Sequence, residues 1–365
     1  MARFALRRSL SGPAWSPAKA LALLITNMGR LMNDTVLLAH GSGGKLSHNL
    51  VEENFLPFLA NPMLNKLDDS AIFEANGRLA FTTDSYVVNP IFFPGGDIGK
   101  LAVCGTVNDL SMSGARPVYL SLSVIIEEGF GLKELGQIVQ SIKAAAEEAG
   151  VNIITGDTKV VNKGQADKLF INTSGIGIVP DGIDISGANA EAGDKVILSG
   201  TIGEHGIAIM SQREGLRFSV PVESDCAPLN KLVAQMLEAS PNIHCLRDPT
   251  RGGLATTLNE FARQSHVGII IEEDKIPAKE AVRAACELLG FDPAYVANEG
   301  KLVAMVKPDD ADKVLAQMKK NRYGRNATII GEVRDDHPGK VIMKTKLGSS
   351  RIVDMLSGEL LPRIC

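Results

Sequence analysis

The sequence predicts an α/β (α+β) protein of two domains, and three observations lead there. The chain has 365 residues, a length suited to about two domains. Its composition, 45% hydrophobic and 22% charged, is that of an ordinary globular protein able to bury a core in each. Short β-rich runs alternate with amphipathic helical runs in two blocks, and the stretch from Pro180 to Gly193, rich in Asp-Gly, Ser-Gly and Ala-Gly turn pairs, separates them. The expected division is therefore 37–182, 183–350 and a tail of 351–365, with 1–36 as a disordered extension or a start placed too early.

In the first block the glycine-rich loop from Gly41 to Lys45 leads into a helix over Leu46–Ala60, whose apolar residues recur near helical spacing. A strand follows at Leu79–Thr83, then a helix from Asp97 to Ser113, a β-rich run over Val118–Ile126, and an amphipathic helix from Lys133 to Ala149 that Gly150 closes. Val151–Thr155 and Leu169–Val179 read as strands. The second block opens with a strand at Lys195–Ser199 and continues through helices at Glu204–Arg213 and Leu229–Ala239 and a third opening at Arg251 to Gly253. Strands at Val267–Ile271, Leu302–Val306 and Thr328–Val333 then alternate with helices at Ala278–Leu289 and Ala311–Asn321. Beyond Lys340–Lys344 regular pattern fades, and Pro362 discourages helix in the last residues.

A net charge of -4 gives no electrostatic reason to expect nucleic acid or an anionic membrane as partner. No run reaches the 18 or more apolar residues of a membrane span. The first thirty-three residues are basic, with Arg3, Arg7, Arg8, Lys19 and Arg30, but the apolar stretch Ala20 to Ile25 is short for a signal-peptide core. Five cysteines, an odd and widely spaced set without a CxxC, indicate neither a disulfide framework nor a zinc knuckle, and a reducing cytoplasm fits best.

The chemistry-bearing residues sit at element ends. Backbone N–H groups of Gly41-Ser42-Gly43-Gly44-Lys45 could wrap phosphate oxygens with Lys45 as a point charge, although the spacing is not that of a Walker A loop and equally suits a flexible turn. Aspartates recur at Asp68-Asp69, Asp84, Asp109, Asp157 and Asp248, and scattered hard oxygens beside glycine loops suit magnesium on a nucleotide. Each also suits an N-cap or Asx-turn. Asp109 resists that reading, because it falls inside a helix, on the side carrying Ala102, Gly105, Thr106 and Ser113. Lys159 and Glu299 flank strands among Gly and Asp, although surface charge is the ordinary role of such residues. The six histidines lack metal-ligand spacing; His40 and His205 stand beside glycines. Cys365 is the last residue, not fourth from the end as prenylation requires, and a terminal thiol invites a carrier role.

In their order, Gly41-Ser-Gly-Gly-Lys45, Thr82-Thr-Asp-Ser85, Phe92-Phe-Pro-Gly-Gly96, Asn108-Asp109, Gly156-Asp-Thr-Lys-Val-Val161, Arg247-Asp-Pro-Thr-Arg-Gly-Gly253, Asn298-Glu-Gly-Lys-Leu302 and Pro362-Arg-Ile-Cys365 resemble the HypE family of hydrogenase maturation proteins. The resemblance spans residues 37–365. The internal motifs are shared more loosely with aminoimidazole ribonucleotide synthetase, selenophosphate synthetase and thiamine-phosphate kinase, whereas the Pro-Arg-Ile-Cys end is particular to HypE. It implies a two-domain ATP-binding fold like that of aminoimidazole ribonucleotide synthetase, a homodimer through the N-terminal domains, and ATP with Mg2+ in the domain cleft. Asp69, Asp84, Asp109 and Asp248 match metal positions. Gly41, Ser42, Gly43, Gly44, Lys45, Asp84, Asn108, Asp157, Thr158, Arg251 and Gly252 match the nucleotide site, and Cys365, Lys159 and Glu299 the catalytic set.

By the same resemblance, the carbamoyltransferase HypF loads Cys365, ATP drives dehydration of the thiocarbamate to a thiocyanate, and the cyanide passes to iron on the HypC–HypD scaffold. Two alternatives stay open: a kinase or synthetase of the same superfamily acting on a free small molecule, with Cys365 incidental, and a nucleotide-binding assembly factor without turnover.

Overall fold

The computed structural model describes residues 35–41, 45–67, 70–216, 221–356 and 364. Ser42, Gly43, Gly44, Asp69 and Cys365, all expected in the site, lie outside the described residues.

Helix α1 (Lys45–Asn54) is followed by the single turn α2 (Leu56–Leu59), and Pro57 in that first turn breaks the one helix expected over 46–60. The N-terminal sheet contains β1 (Arg78–Tyr86), β4 (Arg116–Glu127), β5 (Asn152–Val161) and β6 (Leu169–Val179) in the order β1-β6-β4-β5. β4 and β5 are parallel and the other pairs antiparallel. A short hairpin, β2 (Phe92–Phe93) and β3 (Gly96–Asp97), precedes helix α3 (Ile98–Met112). Helix α4 (Leu132–Ala149) ends on Gly150 in the left-handed conformation that favours glycine.

α3 is buried almost all round, as expected of a helix that sits between layers rather than on a surface. Asp97 caps it by accepting from the Gly99 and Lys100 N–H groups. Gly99 and Gly105 let it lie close to its neighbours: a Cβ on the first would meet the Ile138 carbonyl at 2.7 Å, and on the second the Tyr86 hydroxyl at 2.3 Å.

The C-terminal sheet has seven strands: β7 (Lys195–Leu198), β8 (Ile243–Arg247), β9 (Gly268–Glu272), β10 (Val303–Val306), β11 (Thr328–Arg334), β12 (Val341–Lys344) and β13 (Ser350–Ile352). Their order is β13-β12-β9-β11-β7-β10-β8. Helices α6 (Asn230–Ala239), α7 (Gly253–Gln264) and α9 (Pro308–Met318) pack on this sheet, while α5 (Glu204–Glu214) packs against α8 (Glu280–Leu289). Met112 at the end of α3 joins the apolar cluster of Leu229, Leu232 and Val233, so the two sheets share a buried seam.

Four differences from the sequence expectations bear on the site. β5 runs on to Val161, so Asp157, Thr158 and Lys159 belong to an edge strand and not to a loop after it. β8, which the sequence did not suggest, carries Asp248 at its end. Arg351 and Ile352 close the second sheet although a tail was expected there. Val36, placed in the extension, is fully buried and donates its N–H to Phe130, while Thr35 bridges to Gly131.

Candidate active site

The expected site residues fall into two groups at opposite edges of the N-terminal sheet. In the first, β1 delivers Asp84 on the face that packs against α3, where Asp109 accepts a hydrogen bond from the Thr82 hydroxyl at 3.0 Å. From the C-terminal side, Asp248 arrives at the end of β8 and Glu299 on the loop before β10. Asn298 joins the last two: its N–H and its Nδ2 both donate to the Pro249 carbonyl, at 3.1 and 3.0 Å, and its Oδ1 accepts from Gly203 at 2.7 Å.

Electrostatics show how close this gathering is. Burial and the charge of Asp109 push the Asp248 carboxyl up to about 7. Burial also raises Asp109, with Asp84 adding to the rise. Glu299 is driven well above the carboxylate range by burial first, then by Cys226 and the carboxylates of Asp248, Asp225 and Asp84. Its Oε1 is buried with no hydrogen-bond partner. Such an orphan costs stability and signals a group kept for something other than the fold. Among the described residues no three metal-ligating side chains close into a ready-made cage, so these acids sense one another without touching.

Asn108, expected at the nucleotide, is spent otherwise. Its Nδ2 donates to the carbonyls of Ala227 and Glu299, at 3.1 and 3.4 Å, and its Oδ1 accepts from Leu229 at 2.8 Å. It is a tether between α3 and the C-terminal half, with no polar atom left over.

Next to this group lies the described end of the tail. Ile364 is 3% exposed within the apolar cluster that includes Cys226 and Ala297, and its carbonyl accepts from His205 Nε2 at 2.8 Å. Asp225 receives the Glu299 and Gly300 N–H groups and pairs with Lys301 at 3.0 Å, fixing the loop that presents Glu299. Burial pushes the Asp225 carboxyl up, but Lys301 and His205 outweigh it and hold it below its ordinary value. Sequence reading missed Asp225 and also Ser224, whose hydroxyl meets His205 Nδ1 at 2.8 Å. Only Lys301, inside the Asn298-Glu-Gly motif, and His205, beside a glycine, carried any signal.

The second group surrounds β5. Gly41 lies so tightly on this strand that a Cβ there would sit 2.7 Å from the Val160 nitrogen, which puts the start of the glycine-rich loop beside Asp157, Thr158 and Lys159. Lys45 is exposed at the start of α1. Lys159 pairs with Asp157 at 3.0 Å, both half exposed on the outer face of the sheet. A cavity of about 330 Å³ opens here, lined by Val51, Phe55, Leu59 and Met63 on one side and Thr155 to Lys159 on the other. Pairing places Asp84, Thr173, Leu122 and Gly156 in one row, so Asp157 stands roughly 14 Å across the sheet from Asp84. Lys159 therefore does not face Glu299 within one chain, contrary to their expected joint role. Arg251 is exposed, and Gly252, at a φ of 75°, caps α7 just after Asp248.

Two family models cover most of the chain: AIR synthase related protein, N-terminal domain, over residues 67–179, and AIR synthase related protein, C-terminal domain, over residues 191–344. The chain is 54% identical over 336 residues to the carbamoyl dehydratase HypE of Azotobacter vinelandii, covering 92% of this chain and 98% of that one. Among solved structures it matches the hydrogenase maturation protein HypE in complex with ATP, at 50% identity and a TM-score of 0.88, over 91% of this chain and 100% of the other. It also matches a HypE–HypF complex at 52% identity and a TM-score of 0.75, over 84% and 99%.

Proposed function

The chain belongs to the HypE family of carbamoyl dehydratases of hydrogenase maturation, and on that premise we propose that it dehydrates a carbamoyl group carried on Cys365, using ATP and Mg2+. The observation that carries this reading is the orphaned Glu299 carboxyl beside the seat of Ile364, one residue from that cysteine.

An amide oxygen is a poor leaving group, so the reaction must first convert it into a better one. The carbamoyl oxygen attacks the γ-phosphorus of ATP and the bond to the bridging oxygen breaks, releasing ADP. The carbamoyl nitrogen gives up one proton as the C=N bond forms. It gives up the second as the C–O bond breaks, phosphate leaves with the electron pair, and the thiocyanate remains. Glu299 is the acceptor for these protons. Its partnerless oxygen lies in a buried pocket, free to meet the carbamoyl nitrogen, and it passes the first proton on before it takes the second. Asp225 and Lys301 keep its loop in place.

Asp84, Asp109 and Asp248 fit a magnesium ion, because they are hard oxygen donors gathered in a buried setting where Arg247 offsets only part of the crowding of negative charge. Bound there, it would offset the charge on the triphosphate. Gly41 and Lys45 offer backbone N–H groups and an ammonium to phosphate, with Asp157, Thr158 and Lys159 beside them.

That second group reaches the first in a homodimer. The outer face of the N-terminal sheet exposes Leu79, Phe81 and Ile125, with Phe73 against Tyr119 in a tilted ring contact, 4.8 Å between centroids and 57° between planes. A two-fold axis along the strands, between two such faces, sets the β5 edge of one chain opposite the β1 edge of the other. Lys159 then assists Glu299 across the interface. HypF as the carbamoyl donor, HypC–HypD as the cyanide acceptor and the cytoplasm as the compartment complete the reading. Four buried free thiols, Cys104, Cys226, Cys245 and Cys286, suit a reducing compartment. No helix among the described residues is long and apolar enough to cross a membrane.

Intact-protein mass spectrometry tests the reaction. With carbamoyltransferase, carbamoyl phosphate and ATP-magnesium, the chain should gain a carbamoyl mass and then lose one water only when ATP is present. A chain lacking Cys365 should show neither change. ATP consumed with a soluble metabolite while Cys365 stays unmodified would establish the small-molecule kinase reading instead.

A further inference from the structure

We propose that His205 is the positioning residue that docks the C-terminal tail, by donating its Nε2–H to the peptide carbonyl of Ile364. The proposal rests on the reading that Cys365 carries the carbamoyl group, and it adds the device that returns this residue to Glu299.

The hydrogen-bond pattern admits one neutral arrangement of the ring. A carbonyl oxygen only accepts, so the nitrogen 2.8 Å from Ile364 O carries the proton. The other ring nitrogen then accepts from the Ser224 hydroxyl, also at 2.8 Å. Ser224 Oγ keeps a lone pair for the Cys226 N–H at 3.1 Å, so each partner is used in one direction. Burial lowers the pKa of His205, although the Ile364 carbonyl and Asp225 pull it the other way, and this favours the neutral ring. Phe93 meets the imidazole edge to face, with centroids 5.5 Å apart and planes at 89°, which holds it against rotation.

The frame of this donor is also the frame of the base. The Gly206 N–H, next in the chain to His205, donates to the Ala297 carbonyl at 3.1 Å, two residues before Glu299. Docking thus combines an apolar anchor, the buried Ile364 side chain, with one directional hydrogen bond to its backbone. When the tail leaves to be loaded, the Nε2–H of the buried His205 loses its acceptor, and an unsatisfied buried donor favours return. His205 acts through the tail backbone, so it is a positioning residue and not a catalytic one.

Thiol accessibility reads docking without any partner protein. The other four cysteines are buried, so the first adduct formed with a neutral maleimide, located by intact mass against a Cys365→Ser control, reports the tail. His205→Ala, which has no donor, should label about tenfold faster than the natural chain, and His205→Gln, which restores an N–H, should fall back toward it. Ser224→Ala frees the ring tautomer without emptying the pocket and should label roughly threefold faster, which keeps the test open should the alanine variant fail to fold. Once loaded, His205→Ala should dehydrate its carbamoyl group about tenfold more slowly while loading itself is unchanged, and His205→Gln should recover part of the rate. A labelling rate of folded His205→Ala or Ser224→Ala that matches the natural chain, or a natural dehydration rate in His205→Ala, overturns the proposal. Failure of the carbamoyl reading shows differently, as an unmodified Cys365 in the natural chain, and leaves the labelling result standing.

Discussion

Asp248 holds its charge at a cost, because burial and Asp109 both oppose ionisation. Removing that charge relieves the repulsion while removing an oxygen that the proposed magnesium site requires. Asp248→Asn should therefore unfold at a higher temperature than the natural chain when neither carries nucleotide, yet lose about 100-fold or more in ATP-dependent dehydration. Calorimetry beside the mass-spectrometric assay reads both, and a variant that is less stable as well as inactive would assign Asp248 to the fold. The sequence singled out Asp109 because it falls inside a helix, and Asp84 and Asp248 because they fall at expected element ends. Asp225 had neither mark. It lies in a stretch without regular pattern, and its importance arises only because the fold brings Lys301 and the Glu299 loop to it. Asn108 was legible as special but not in role, because its amide is claimed by carbonyls of Ala227 and Glu299, more than a hundred residues away in the sequence.

At the scale of elements, boundaries set by local chemistry were readable and those set by pairing were not. α3 begins at its Asp97 cap and α4 stops at Gly150, both fixed by backbone groups that neighbouring residues satisfy. β5 continues through Gly156-Asp157, which look like a turn, because β4 supplies a parallel ladder from Tyr119 to Glu127. β8 is five residues long, and its place comes from pairing with β10. The turn that follows β8 and leads into α7 depends on Gly253, whose φ is 61° and whose added Cβ would meet the carbonyls of Ala294 and Val296 at 2.6 and 2.7 Å. Gly253→Ala should cost about 2 kcal/mol in urea unfolding and lower turnover further by displacing Asp248. A variant with natural stability would mean that the turn adapts.

For the whole molecule the question is how two groups of site residues, at opposite edges of one sheet, serve one reaction. The proposed pairing of the outer faces would answer it, and Phe81, 70% exposed on the edge strand β1, is where that pairing is most vulnerable. Phe81→Arg should halve the mass seen in sedimentation and abolish dehydration while each chain keeps its fold by circular dichroism; a monomer with natural activity would place the complete site in one chain. By itself the sequence determined the two α/β blocks, the acidic residues at element ends and the terminal cysteine, because helical period, turn chemistry and motif order are local properties. Only the tertiary structure decided which acids share a pocket, that Lys159 stands apart from Glu299, and that His205 receives the tail. Those depend on strand order and on packing across the seam between the sheets, where residues distant in the chain become neighbours and the burial of each is set by all the others.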